Sequence, residues 1–181
     1  LDSAFNQNKQ PLEKLNIPVL ELRCDRLEDV PLAMLELGEA LGVQERAQKR
    51  AEDFRKDLAA IEPLKKKQTV FIEVWGSPLQ TIGSNTLSND LLTTLGLENC
   101  YNDQEDSFQV DPEDVLSRRP DIVLYPTQDT EAPSNSRAYE MLKETGQSPR
   151  LVAIDADLFF RPGPRLIEGM KELRKHLEKP Y

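Results

Sequence analysis

"VDPEDVLSRRPDIVLYP", Val110 to Pro126, decides how this chain folds. Asp111 stands ahead of Pro112, the pattern of a helix N-cap followed by a proline in the first turn. A short helix is therefore predicted over 111–120. "DIVLYP", 121–126, is an unbroken apolar run too short for a helix, and it reads as a strand buried on both faces and ending at proline. A helix that feeds straight into a buried strand is half of a βαβ unit, and such a unit implies a parallel neighbour.

The same alternation extends in both directions. Downstream come a helix in "NSRAYEMLKETG" (135–146), a strand in "RLVAID" (150–155) and a closing helix in "GPRLIEGMKELRKHLEK" (163–179). In the last, Pro164 starts the helix, and Leu166, Ile167, Met170, Leu173 and Leu177 form its inner face. Upstream, "TVFIEVW" (69–75) is rich in strand formers, and "TLSNDLLTTLG" (86–96) is a helix stopped by glycine. Strands separated by helices predict an α/β fold: a Rossmann-like lobe with a mainly parallel central sheet flanked by helices.

A long helix precedes that lobe. In "QERAQKRAEDFRKDLAAIE" (44–62), Ala47, Ala51, Phe54, Leu58 and Ile61 recur at three and four residues, and the rest is charged. The apolar stripe is narrow, which suits a surface helix or a strut bridging two lobes. "PLKKKQ" (63–68) then marks the clearest boundary. Before the strut, "DRLEDVPLAMLELGEALGV" (25–43) predicts a helix with Asp25 as cap, an apolar face of Leu27, Val30, Leu32, Leu35, Leu37 and Leu41, and Gly42 as its stop. "IPVLEL" (17–22) follows a helix end and reads as a strand. The expected division is residues 1–22, residues 23–65 with the strut, and a lobe over residues 66–181.

Composition narrows the function. A net charge of −9 over 181 residues argues against nucleic-acid binding, which needs basic surface. No apolar run approaches the roughly 20 residues of a membrane helix. No signal-peptide pattern opens the chain, which reads as a mature protein or a fragment. Cys24 and Cys100 are expected as free thiols, and with His176 they lack zinc-ligand spacing. The sequence has no Gly-x-Gly-x-x-Gly, no phosphate loop and no serine elbow. His176 is the one histidine and reads as a solvated helix-end residue, so chemistry built on histidine is disfavoured.

In a parallel sheet, ligands bind outside the carboxyl ends of the strands. Three loops fall there: 75–85, 125–135 and 155–164. They carry Trp75, Leu79, Phe159 and Phe160, apolar bulk that suits a concave site, with Arg161 as its polar contact. Packing alone offers competing roles. Trp75 closes a strand and can cap the core, one of Phe159 and Phe160 is expected to be buried, and Arg161 can pair with a nearby carboxylate. Arg165 falls in the first turn of the last helix, where a cation opposes the helix dipole and calls for a partner.

"VFIEVWGSPLQTIGSNTLSNDLLTTLGLENCY", "VDPEDVLSRRPDIVLYP" and "VAIDADLFFRPGPRLIEGMKEL" together resemble the helical-backbone substrate-binding proteins of ABC importers. That family captures cobalamin, haem and iron-siderophores, and the resemblance, running from Ile17 to the C-terminus, is strongest to its cobalamin branch. It implies two lobes bridged by one long helix, matched by 44–62, with the ligand between them. Residues 1–22 match only the last helix and strand of the N-terminal lobe, so half of the pocket wall has no counterpart here.

The resemblance also implies roles for single residues. Trp75, Gly76, Ser77, Pro78 and Leu79 match a segment laid against the ligand, and Asp157, Phe160 and Arg161 match contacts to its amide-bearing rim. Ser107 or Phe108 stands where some cobalamin binders carry a tryptophan. Glu113 matches a glutamate that docks onto arginines of the membrane permease. The implied protein is periplasmic or otherwise extracytoplasmic, with any lipid anchor outside this chain and no catalytic cofactor. Haem and ferric siderophores are the alternative ligands, with Tyr125 and Tyr101 as candidate iron-binding phenols. A chelatase-like or nucleotide-dependent α/β enzyme is the alternative from another class, and a lobe with no independent activity is a third.

Overall fold

The computed structural model describes residue 9, residues 11–127 and residues 136–179. Part of the 125–135 loop, residues 128–135, lies outside the described residues, as do residues 1–8.

Four parallel strands form the central sheet: β1 (Thr69–Ile72), β4 (Glu98–Asn99), β6 (Ile122–Thr127) and β7 (Arg150–Asp155), in the order β4-β1-β6-β7. Successive side chains of a strand face opposite sides, and the core divides accordingly. Val70 and Ile72, Ile122 and Leu124, and Val152 and Ile154 face one side. There they meet Leu91 and Leu92 of α3 (Leu87–Thr94) and Leu166, Met170 and Leu173 of α7 (Leu166–Glu178). Phe71 and Val123 face the other side, against Val115 of α4 (Pro112–Arg118) and Ala138 and Leu142 of α5 (Arg137–Glu144). Each fully buried aliphatic side chain contributes about 1.5–3 kcal/mol, so a sheet covered on both faces is the dominant stabilising feature.

The local signals in the opening stretch hold. Asp111 Oδ1 accepts from the Glu113 N–H at 2.9 Å, and Pro112 stands in the first turn. β6 runs one residue past Pro126. Its pairing with β1 stops at Leu124, so the missing proline N–H costs no bond on that side.

Residues 75–82, read from sequence as a loop, contain β2 (Trp75–Gly76) and β3 (Leu79–Ile82), which pair as an antiparallel hairpin around a cis Ser77–Pro78 peptide. β5 (Ser107–Gln109) adds a third strand to this small second sheet. These strands of two to four residues are too short to show an alternating pattern.

The two helices before the lobe are α1 (Asp29–Ala40) and α2 (Gln44–Ala59). Gly42, at φ +67°, makes the turn between them. They pack closely: a Cβ on Gly38 would fall 2.1 Å from that of Ala47. Leu27, Val30 and Phe54 fasten the pair to the first core cluster. Arg26 adds a forked contact, donating from Nε and Nη2 to Asp90 of α3 at 2.9 and 2.8 Å, and the Leu27 N–H reaches the same carboxylate at 2.9 Å.

Three expectations fail in this region. Leu32, Leu37 and Leu41 are 49, 42 and 66 % exposed, and α1 buries Val30, Pro31, Ala33 and Gly38 instead. Asp25 does not cap α1; the helix starts at Asp29, whose carboxylate accepts from the Arg26 N–H at 2.8 Å. Residues 17–22 are not a strand, since no neighbouring strand among the described residues offers a ladder.

Two substitutions test this packing by urea denaturation. Asp90→Ala should lower stability by about 2 kcal/mol, since it strands the Leu27 N–H and the part-exposed Arg26 together. Gly169→Ala should cost about 1–3 kcal/mol, because its Cβ would fall 2.5 Å from the Leu158 carbonyl oxygen. Gly163→Ala, with nothing within 4 Å, is the control and should be close to neutral.

Candidate ligand-binding crevice

The chain passes from β1 outward to β4, then returns to lay β6 on the other side of β1. Connections therefore leave β1 and β6 in opposite directions, and a crevice opens beyond their carboxyl ends. Its volume is about 490 Å³, and its walls are Glu73 to Ser77 after β1, Tyr125 and Pro126 of β6, and Arg137 of α5.

Trp75 is 61 % exposed on this wall, and its indole N–H donates to the Ser77 carbonyl at 2.8 Å. With that donor occupied, the ring offers a broad apolar surface. Gly76 and Ser77 line the crevice beside it, while Pro78 is exposed at the hairpin tip. Leu79 is 2 % exposed and belongs to the second core cluster, so it holds the hairpin down.

The floor is a buried carboxylate. Glu73, 2 % exposed, accepts from Ser136 Oγ at 2.6 Å and from the Arg137 and Ala138 N–H groups at 3.0 and 2.9 Å. It therefore satisfies free N–H groups at the start of α5, where a negative charge is favourable. Gly76 permits this approach, since a Cβ there would lie 3.0 Å from Glu73 Oε1. Arg137 donates back to the Gly76 carbonyl at 3.3 Å. Sequence reading missed both Glu73 and Arg137, although an acidic residue inside "VFIEV" was a visible anomaly.

The other site residues lie elsewhere along the edge. Asp155 caps α6 (Ala156–Phe159), accepting from the Asp157 N–H at 2.8 Å. That turn puts Asp157 and Arg161 on one face, ion-paired at 3.0 Å. Arg165 likewise meets Glu168 at 3.7 Å. Phe159 is buried, as expected, and Phe160 is half-buried against it with ring centroids 5.5 Å apart. A second cleft of about 570 Å³ separates Pro162–Pro164 from residues 21–25 and α1.

Phe108 packs edge-on to Tyr101, part-buried in the second core cluster. Tyr101 is 1 % exposed, and burial raises its phenol well above the ordinary range, which removes it as a surface metal ligand. Arg118 stacks 4.0 Å over that ring and forks onto Asp103. Glu113 is exposed in the first turn of α4. Cys24 and Cys100 are free thiols, and burial pushes Cys100 up to about 12. Among the described residues, no three His, Cys, Asp or Glu side chains gather as a metal site, and no helix is long and apolar enough to cross a membrane.

Comparison with known proteins agrees with this architecture. The vitamin B12-binding protein of Pectobacterium carotovorum is 25 % identical over 178 residues, covering 93 % of this chain and 63 % of that protein. An uncharacterised ABC transporter substrate-binding lipoprotein of Bacillus subtilis, YvrC, is 30 % identical over 155 residues, covering 78 % of this chain and 47 % of that protein. This chain thus spans under two thirds of the length of both relatives. The crystal structure of the periplasmic heme-binding protein HutB of Vibrio cholerae superposes with a TM-score of 0.79 at 16 % identity, over 96 % of this chain and 73 % of that one, and shares its fold. The family described as periplasmic binding protein matches residues 1–156, and this chain belongs to it.

Proposed function

We propose that this chain is the substrate-binding component of an ABC importer, holding cobalamin or a related corrinoid between two lobes for delivery to a membrane permease. The observation that carries this reading is Trp75, an exposed aromatic on the wall of the crevice at the point where the sheet changes direction. A corrinoid presents a wide flat face and a rim of amides. The indole and the neighbouring backbone of Gly76 and Ser77 suit the face. Asp157, Phe160 and Arg161, on the next loop along the same edge, suit the rim.

Residues 66–181 then act as the C-terminal lobe, 23–65 supply the helix pair with the bridging strut, and 1–22 belong to the opposite lobe. The strut is long, and α1 is pinned to the lobe through Arg26 and Asp90. Such a frame favours recognition by a preformed cleft over large closure. Binding of this kind requires no covalent step. The N-terminus of α4 presents Glu113 to solvent as a docking contact for permease arginines. The site of action is extracytoplasmic, as in the family.

Tyr125 favours a second reading. It lines the same crevice as Trp75, a placement that suits iron ligation in haem or a ferric siderophore.

Titration with cyanocobalamin and with haemin, followed by visible absorbance and calorimetry, tests both readings. It should be run on this chain and on a form with a complete N-terminal lobe. Cyanocobalamin should bind the complete form, and Trp75→Ala should weaken it at least about tenfold. Failure of the complete form to bind either ligand would sink both assignments. Glu113→Arg should leave ligand binding intact and weaken association with the permease; an unchanged association would remove Glu113 from the interface.

A further inference from the structure

Three arginines stand along this edge, and they differ in their partners. Arg161 is exposed but neutralised by Asp157 at 3.0 Å, and Arg165 leans on Glu168. Arg137 differs from both. It is exposed on the crevice wall, and its guanidinium donates only to the Gly76 carbonyl at 3.3 Å, with no ion-pair partner among the described residues. Glu73 accepts from Ser136 Oγ and two backbone N–H groups, and no ion pair joins it to the Arg137 guanidinium. Among the described residues Arg137 is the one arginine that lines this crevice.

Its placement is also fixed. The Glu73 carboxylate holds the backbone of Arg137 itself, and the guanidinium returns to Gly76, the residue after Trp75. One clasp thus sets both the aromatic wall and the cation. A guanidinium has five donors in a rigid fork that matches planar oxyanions.

We infer that Arg137 is a specificity-determining residue that binds an anionic oxygen group, a carboxylate or a phosphodiester, on the edge of a flat ligand whose face covers Trp75. This inference rests on the reading of the crevice as a macrocycle site and narrows it to ligands bearing an acidic edge.

Two pairs of probes that differ at the anion supply the test. Haemin is compared with its dimethyl ester, which lacks the free carboxylates. Cyanocobalamin is compared with dicyanocobinamide, which lacks the phosphodiester and its nucleotide. Trp75 is the single tryptophan of the chain, so quenching of its fluorescence reports on this crevice directly. For the macrocycle that binds the unaltered protein, Arg137→Gln should weaken the anionic member about ten- to a hundredfold. The loss for its partner should be under about twofold. Arg137→Lys should restore part of the loss, since charge survives without the fork. The haem pair responding alone identifies a carboxylate, and the corrinoid pair responding alone identifies a phosphodiester. An equal loss for both members, or no loss, overturns the inference and leaves the macrocycle reading standing. Failure of every probe to bind either this chain or the form with a complete N-terminal lobe removes that reading, and the inference with it. Unchanged urea midpoints for the variants exclude unfolding as the cause.

Discussion

The crevice depends on one buried carboxylate. Glu73 leaves the end of β1 and enters the first turn of α5, 64 residues further along the chain. Each party needs the other. An ionised carboxylate away from water is tolerable only when hydrogen-bonded, and the first N–H groups of a helix have no partner within it. Their meeting closes the gap between the two connections that diverge at β1 and β6. Without it the sheet would keep its two covered faces, but the ends of β1 and α5 would have no fixed relation, and Trp75 and Arg137 would form no common wall.

A second constraint orients what stands before the lobe. Asp90 gathers three donors from Arg26 and Leu27, and Leu27, Val30 and Phe54 enter the first core cluster beside it. The helix pair is therefore part of the lobe's own packing and cannot hang from it as a loose tether. Leu32, Leu37, Leu41 and Val43 stay open to solvent among its charged residues.

The fold was largely legible because its signals are local. Asp111 with Pro112 marks a helix start whatever surrounds it, and "DIVLYP" is too apolar and too short for anything except a buried strand. The α1 face was harder to read. Its leucines spread around the helix, and the close approach of Gly38 to Ala47 selects which of them are covered. The site was only half visible. Trp75 stood out by its chemistry, and the Asp157–Arg161 spacing already matched one helical turn, although a pair was legible only once α6 was known to be helical. Glu73 and Arg137 meet across the fold, and nothing local in either stretch announces the other.

The small antiparallel sheet has a consequence for how such proteins diverge. β2 and β3 hang from the end of β1 as a separate hairpin, anchored by Leu79 below and bonded edge-on to β5. The residues at its tip and outer face, Trp75 to Pro78, take no part in either core cluster. Selection can therefore rewrite that surface while the parallel sheet and its helices are inherited unchanged. One scaffold can in this way carry many different hairpin surfaces over an unchanged core.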